Sequence, residues 1–189
     1  RAIDIAGQVQ PVEVSDEAKK ELFEFITKRL EQILVDDGIP VEAVRASIAE
    51  RGNNPALAAK TAKDIGWELE LGEGSLLYQA MVAMARSIRL TRGKDISADW
   101  VVDPSLFETD LEKNLYEAYI SVSSNLDSHS SVESFAKECQ KLVSPLEAYF
   151  ESVFVMSEDI KVRQGRLALM RDIASLSDGI VNLAELPGF

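Results

Sequence analysis

The sequence predicts an all-α protein, an irregular bundle of about eight helices. Apolar residues recur at three- and four-residue intervals along most of the chain. Six prolines are few, and most stand where a helix begins. No strand-like alternation stands out, apart from a weak stretch at Ile3 to Val14.

The first strong helix opens at Ser15, an N-cap, with Asp16 and Glu17 in the turn where acids complement the helix dipole. Leu22, Ile26, Leu30, Ile33 and Leu34 form its apolar stripe, expected to face the core. It ends at Asp36-Asp37-Gly38, where glycine can take the left-handed conformation. Pro40 suits the first turn of the next helix, which turns Val41, Val44 and Ile48 inward and stops near Gly52. Asn54 and Pro55 read as N-cap and first residue of a third helix, through Leu57, Ala58, Ala62 and Ile65. Gly72 and Gly74 mark the next break.

A fourth helix from Ser75 to Leu90 is apolar almost all round, which predicts a central place in the bundle. Trp100, Val101 and Val102 form a hydrophobic plug in the loop that follows. Thr109 with Glu112 is a capping box opening a fifth helix, striped by Leu111, Leu115, Tyr119 and Val122. After a polar turn at Asp127 to Ser131, Val132, Phe135, Cys139 and Leu142 mark a sixth. Pro145 kinks it or starts a seventh, through Leu146, Phe150, Val153 and Phe154. Ser157 is the expected cap of an eighth, carrying Leu167, Met170, Ile173 and Leu176. The short apolar tail from Leu183 to Phe189 is expected to pack on the bundle. The division expected is a linker over 1–14, a helical part over 15–72 and a larger bundle over 73–189, or one continuous domain over 15–189.

With 189 residues, the chain is long enough for one cored domain or two small ones. The 46% apolar and 28% charged content is that of an ordinary globular chain. One cysteine excludes a disulfide framework, and one cysteine with one histidine cannot build the usual structural zinc sites. No apolar run is long enough to cross a membrane. The chain starts at Arg1 with no signal or transit segment after it, and reads as a piece of something longer or a processed form.

Catalytic candidates are few. His129 lies in a polar turn between two serines. Cys139 falls on an apolar stripe with no second histidine to activate it. The acid pairs Asp36-Asp37 and Glu158-Asp159 are explained by capping and dipole effects. No phosphate loop, dinucleotide fingerprint or metalloprotease helix occurs. No catalytic and no metal-binding residue is expected.

The net charge of −12 argues, taken whole, against a nucleic-acid partner. Its distribution argues otherwise. Arg86, Arg89, Arg92 and Lys94 form one acid-free run, and Lys161, Arg163, Arg166 and Arg171 form another. These two segments hold eight of the 20 bases, so the remaining twelve face all 32 acids. Such segregation can build a basic face on an acidic body. The pairs Arg86–Arg89 and Arg163–Arg166 each share a helix face, and the arginine fork suits phosphates and base edges. The alternative is that these bases pair with surface acids and stay solvated. Lys60 and Lys63 with Arg51 make a third, weaker patch. Tyr149, Phe150 and Phe154 form either a stacking platform for bases or, at this helical spacing, core.

Three stretches carry a family pattern. The first is Val102-Asp103-Pro104-Ser105-Leu106-Phe107-Glu108, followed by Glu112-Lys113-Asn114-Leu115-Tyr116-Glu117-Ala118. The second runs from Ser144-Pro145-Leu146-Glu147-Ala148-Tyr149-Phe150 to Val153-Phe154-Val155-Met156. The third is Glu158-Asp159 and then Arg163-Gln164-Gly165-Arg166-Leu167-Ala168-Leu169-Met170. Their order and spacing resemble the C-terminal end of the β subunit of bacterial-type glycyl-tRNA synthetase. Residues 22–48 are similar to the helical stretch before it. Arg92-Gly93-Lys94-Asp95 and the terminus Leu186-Pro187-Gly188-Phe189 look like the plant-organelle and cyanobacterial branch, which in plants fuses α and β regions in one chain.

The resemblance implies a helical anticodon-binding domain of the DALR-like type. It implies that the full enzyme joins glycine to tRNA(Gly) with ATP and magnesium, at a site in an α region outside this chain. The chain itself would then be non-catalytic and hold no cofactor. Its partners would be tRNA(Gly), the α region and, through the full enzyme, a second copy. A plant protein would work in the plastid stroma and also the mitochondrial matrix, and a bacterial one in the cytoplasm. The competing expectation is a structural module that docks the α region or mediates oligomerisation without reading the anticodon.

Overall fold

The computed structural model describes residues 2–188. They are all-helical, with eight α-helices among them: α1 (Ala2–Gln8), α2 (Asp16–Asp36), α3 (Val41–Arg51), α4 (Pro55–Leu71), α5 (Leu76–Thr91), α6 (Asp110–Ser123), α7 (Val132–Ser152) and α8 (Ile160–Ala174). Phe189, the end of the expected tail, lies outside the described residues.

The caps that the sequence places at Ser15, Asn54 and Thr109 form as hydrogen bonds, and Ser75 and Ser131 cap their helices as well. The side chains of Ser15, Asn54, Ser75 and Ser131 accept from the backbone N–H three residues on. Thr109 and Glu112 make the full reciprocal box. Gly38 takes φ +89° after α2, a conformation that a side chain would strain.

Four expectations are corrected. The weak alternation near the N-terminus is no strand: residues 2–8 form α1, which buries nothing and packs on α2. The sixth and seventh helices are one, because α7 runs unbroken through Pro145. Proline costs that helix one internal hydrogen bond. Burial of Cys139, Leu142, Leu146 and Tyr149 on both sides of it keeps the axis continuous. The cap of α8 is Asp159, whose carboxylate accepts from Lys161 N and Val162 N, and not Ser157. The Ser157 carbonyl is instead held by Arg163 Nη1 at 3.1 Å. Finally, most of the α2 stripe faces solvent: only Leu34 is buried, while Leu22, Ile26 and Ile33 are exposed.

α5 is central, packing on α4, α7 and α8. Its Leu77, Ala80, Met81 and Met84 sit in the main core with Leu115, Phe135, Leu142, Tyr149, Met170 and Ile173. It is not apolar all round in space, since Leu76 and Val82 are exposed with Arg86 and Arg89 on its outer side. α3 and α4 contribute Ala43, Ala46 and Ile65 to the same core. Leu34 of α2 joins Val44 and Ala62 in a smaller one. Trp100 and Val102 pack on the core as expected of the plug, but Val101 is exposed. Leu183 and Leu186 of the tail are buried, and Asn182 N donates to Ala46 O.

α5 and α7 run parallel. Gln140 Nε2 donates to Leu76 O at 2.9 Å, and Arg86 Nη1 to Phe150 O at 3.2 Å, both contacts 64 residues apart. A constant sequence offset between two helices requires the same direction. By that register α7 ends, at Ser152, level with Ile88. The last turn of α5 therefore projects beyond it.

Arg51 leaves the third basic patch. It is buried, and its guanidinium donates to Gly179 O, Thr61 Oγ1, Ser128 O and Ser130 O. These bonds staple α3 to α4 and to two loops, with no donor turned to a ligand.

Candidate nucleic-acid interface

The two basic runs differ in how their side chains are used. In the first, Arg86, Arg89, Arg92 and Lys94 are all exposed. They are absent from the ion pairs found among the described residues. Arg89 Nη2 donates to Gly188 O at 3.0 Å. Arg86 lies over Phe150, with Cζ 4.5 Å from the ring centroid, a cation–π contact. The cations keep most of their donors for a ligand.

In the second run the donors turn inward. Arg166 is buried, and its Nε donates to Glu112 Oε1 at 2.7 Å. Its Nη2 donates to Glu108 Oε2 at 2.6 Å and its Nη1 to Phe154 O at 3.0 Å. Arg171 is half-buried, bound to Ser97 O, Trp100 O and the Asp172 carboxylate. Arg163 is half-buried on Ser157 O. Lys161 alone of this run is exposed.

Electrostatics follow from that network. Burial by itself pushes the Glu112 carboxyl up, but bonds from Arg166 and from the Glu108 and Thr109 backbone N–H groups outweigh it and hold it below the usual carboxylate range. Burial disfavours the Arg166 cation, yet its contacts with Glu112 and Glu108 more than compensate and raise it. The result is a charged clamp joining the start of α6, the α7–α8 loop and α8.

Beside Arg86 a groove of about 600 Å³ opens between α5 and α7. Tyr78, Val82, Leu146 and Phe150 form its apolar wall, and Glu73, Glu147 and Glu151 its acidic rim. Phe150 is half-buried and edge-on to the buried Tyr149, at 5.5 Å. Phe154, two residues past the end of α7, is 73% exposed and not in the core. The three aromatics therefore form no common platform.

The Cys139 thiol is buried, and burial pushes it up to about 12, where it holds its proton. His129 is exposed in its turn, with its backbone N–H on Asp127. Among the described residues no cluster of three or more His, Cys, Asp or Glu is placed to hold a metal, and no helix is long and apolar enough to cross a membrane.

Sequence reasoning missed Phe150 as the partner of Arg86, and Glu108 and Glu112 as the partners of Arg166. Those contacts span 64, 58 and 54 residues, beyond any local signal.

No family model matches the chain. It is 41% identical over all 189 residues to the chloroplastic/mitochondrial glycine–tRNA ligase 2 of Arabidopsis thaliana, covering 17% of that protein. It is 30% identical over 160 residues to the glycine–tRNA ligase β subunit of Desulfatibacillum aliphaticivorans, covering 85% of this chain and 23% of that one. With the β subunit of Syntrophotalea carbinolica it shares 29% over 173 residues, 90% of this chain and 24% of that one. The chain therefore spans less than a quarter of the length of these relatives. Along its own length it is similar to one region of glycine–tRNA ligases and of their β subunits.

Proposed function

We propose that this chain is the part of a glycine–tRNA ligase that holds the anticodon stem-loop of tRNA(Gly), a helical anticodon-binding domain of the DALR-like type. It positions the tRNA for glycylation, with ATP and magnesium, in the α region of the enzyme. The likeness to an Arabidopsis chloroplastic/mitochondrial ligase supports work in the plastid stroma. One observation carries the reading: Arg86, Arg89, Arg92 and Lys94 are exposed along the C-terminal part of α5 and just past it, with no ion pair on any of them among the described residues. Desolvating cations that are already paired costs energy, whereas unpaired ones gain on meeting phosphate. Lys161 is the member of the second run left exposed to meet a phosphate. Arg163, Arg166 and Arg171 hold loops instead.

The test is binding of the tRNA(Gly) anticodon stem-loop to the chain across a range of salt. Each lost phosphate contact lowers the slope of log K against log salt by about 0.7–0.9. Arg89→Ala, Arg92→Ala and Lys94→Ala together are expected to weaken binding and flatten the slope by about two. Unchanged affinity and slope overturn the reading.

A second reading has its own observation. α2 exposes Leu22, Phe23, Phe25, Ile26 and Ile33, an apolar stripe of the kind that marks contact surfaces. A chain that binds no tRNA but captures the α region or dimerises through this stripe is a structural module.

A further inference from the structure

We propose that the groove between α5 and α7 takes one unstacked nucleobase and selects a base that carries an exocyclic amino group beside an acceptor nitrogen, as cytosine and adenine do. This rests on the reading of the chain as an RNA-binding domain, and it adds the residues that give selectivity. The groove has the size of a small-ligand site, about 600 Å³. One wall is the stacked pair of Arg86 and Phe150, 4.5 Å apart. Splayed-out RNA bases stack on such planes, whether aromatic rings or guanidinium groups. Arg86 keeps donors for a ring nitrogen or carbonyl oxygen, since only its Nη1 is engaged, by Phe150 O.

The acids decide what enters. Glu147 and Glu151 lie four residues apart on one face of α7, on either side of Phe150 in sequence, and Glu73, in the turn before α5, lines the other end of the groove. None of the three takes part in an ion pair among the described residues. Carboxylates repel phosphate and accept from an amino group. A backbone phosphate is kept out, and a base fits that turns an amino group to the carboxylates and its acceptor nitrogen to Arg86. By the 64-residue register, Glu147 stands level with Ala83 and Glu151 with Ser87. In the same register Arg89, Arg92 and Lys94 lie beyond the end of α7, Arg89 two residues past the level of Glu151 and the other two further on. One strand can therefore lay its phosphates on the projecting end of α5 and turn a single base back into the groove.

The test uses labelled tRNA(Gly) anticodon stem-loops in which each loop cytosine is replaced by uridine and each loop adenine by inosine, one position at a time. Both replacements turn the amino donor into a carbonyl acceptor. Titrated with the chain, one position is expected to weaken binding by about tenfold. The double variant Glu147→Ala/Glu151→Ala is expected to lose that preference while the salt slope holds. Phe150→Leu is expected to weaken every loop alike, through lost stacking. Circular dichroism verifies that each variant keeps its helices. If no position discriminates, or if Glu147→Ala/Glu151→Ala discriminates as the parent does, the groove holds no such base, and the anticodon reading stands without it. Phe150→Leu binding like the parent points the same way, to a groove that serves a protein segment instead. If the parent chain binds no stem-loop even at low salt, the anticodon reading itself falls, and this inference with it.

Discussion

Replacing Arg166 with methionine keeps most of the side-chain stem and removes three hydrogen bonds. The Nε contact matters most, because Glu112 is 2% exposed and Arg166 is 8% exposed. The Glu108 side chain is 56% exposed, so its share is screened and worth no more than ~1 kcal/mol. Removing one partner of a buried pair costs roughly 3–5 kcal/mol, because a desolvated charge is left behind. A domain of ordinary stability has about 5–15 kcal/mol in total, so Arg166→Met is expected to consume roughly a fifth or more of it. Urea unfolding followed by circular dichroism reads the loss. Adding Glu112→Gln should return part of it, since glutamine removes the stranded charge and still accepts from the Thr109 and Glu108 N–H groups that Glu112 holds now. The pH dependence is expected to weaken or reverse. With Arg166 present, Glu112 titrates below its unfolded value of about 4.3, so its contribution is full above that pH and is lost as pH falls through the depressed folded value. Without Arg166, burial raises Glu112, and the Arg166→Met variant should gain stability relative to the parent on acidification. A loss under ~1 kcal/mol, or a Glu112→Gln change that deepens the loss, refutes the clamp. RNA affinity per folded molecule is expected to survive Arg166→Met, because those donors already serve the fold.

Two further outcomes follow from local geometry. Gly179 has φ +72°, and a Cβ there would stand 2.9 Å from Ser128 Cβ, so Gly179→Ala should cost about 1 kcal/mol or more in urea unfolding. Gly165, inside α8 with no atom within 4 Å of an added Cβ, should gain about 0.5–1 kcal/mol on the same change. Cys139, buried and held protonated by a value pushed up to about 12, should react with a disulfide reagent at pH 8 only as fast as the chain opens. Rapid labelling in the native state would contradict its burial.

The parts of the fold that were legible in the sequence are those decided within one helical turn. Ser15, Asn54 and Thr109 cap as read because donor and acceptor lie three residues apart. Pro145 misled because its local cost is outweighed by burial on both sides. Ser157 and Asp159 are both competent caps, and Asp159 wins while an arginine takes the Ser157 carbonyl. The α2 stripe was read correctly as a stripe, but periodicity gives the apolar face and not what stands against it. The basic site divides in the same way. An acid-free run in sequence is not acid-free in space: Arg166 meets carboxylates more than fifty residues away, while Arg92 and Lys94, past the end of a helix, form no ion pair among the described residues.

The net charge of −12 is therefore a poor guide to contact. At physiological ionic strength the Debye length is about 8 Å, so exposed charges further apart than that hardly feel one another. A phosphate resting on the projecting end of α5 responds to Arg89, Arg92 and Lys94, and much less to the acids of α2 or α6. The total still acts at long range, by slowing approach and discouraging random binding of RNA elsewhere on the surface. On the reading proposed above, selectivity comes from the open end of the α5–α7 groove, where Arg86 and Arg89 and the acids Glu147 and Glu151, none of them in an ion pair among the described residues, lie a turn or two apart. A generally basic protein would hold any RNA. An acidic body with a single basic projection can hold only a strand that reaches it in the right orientation.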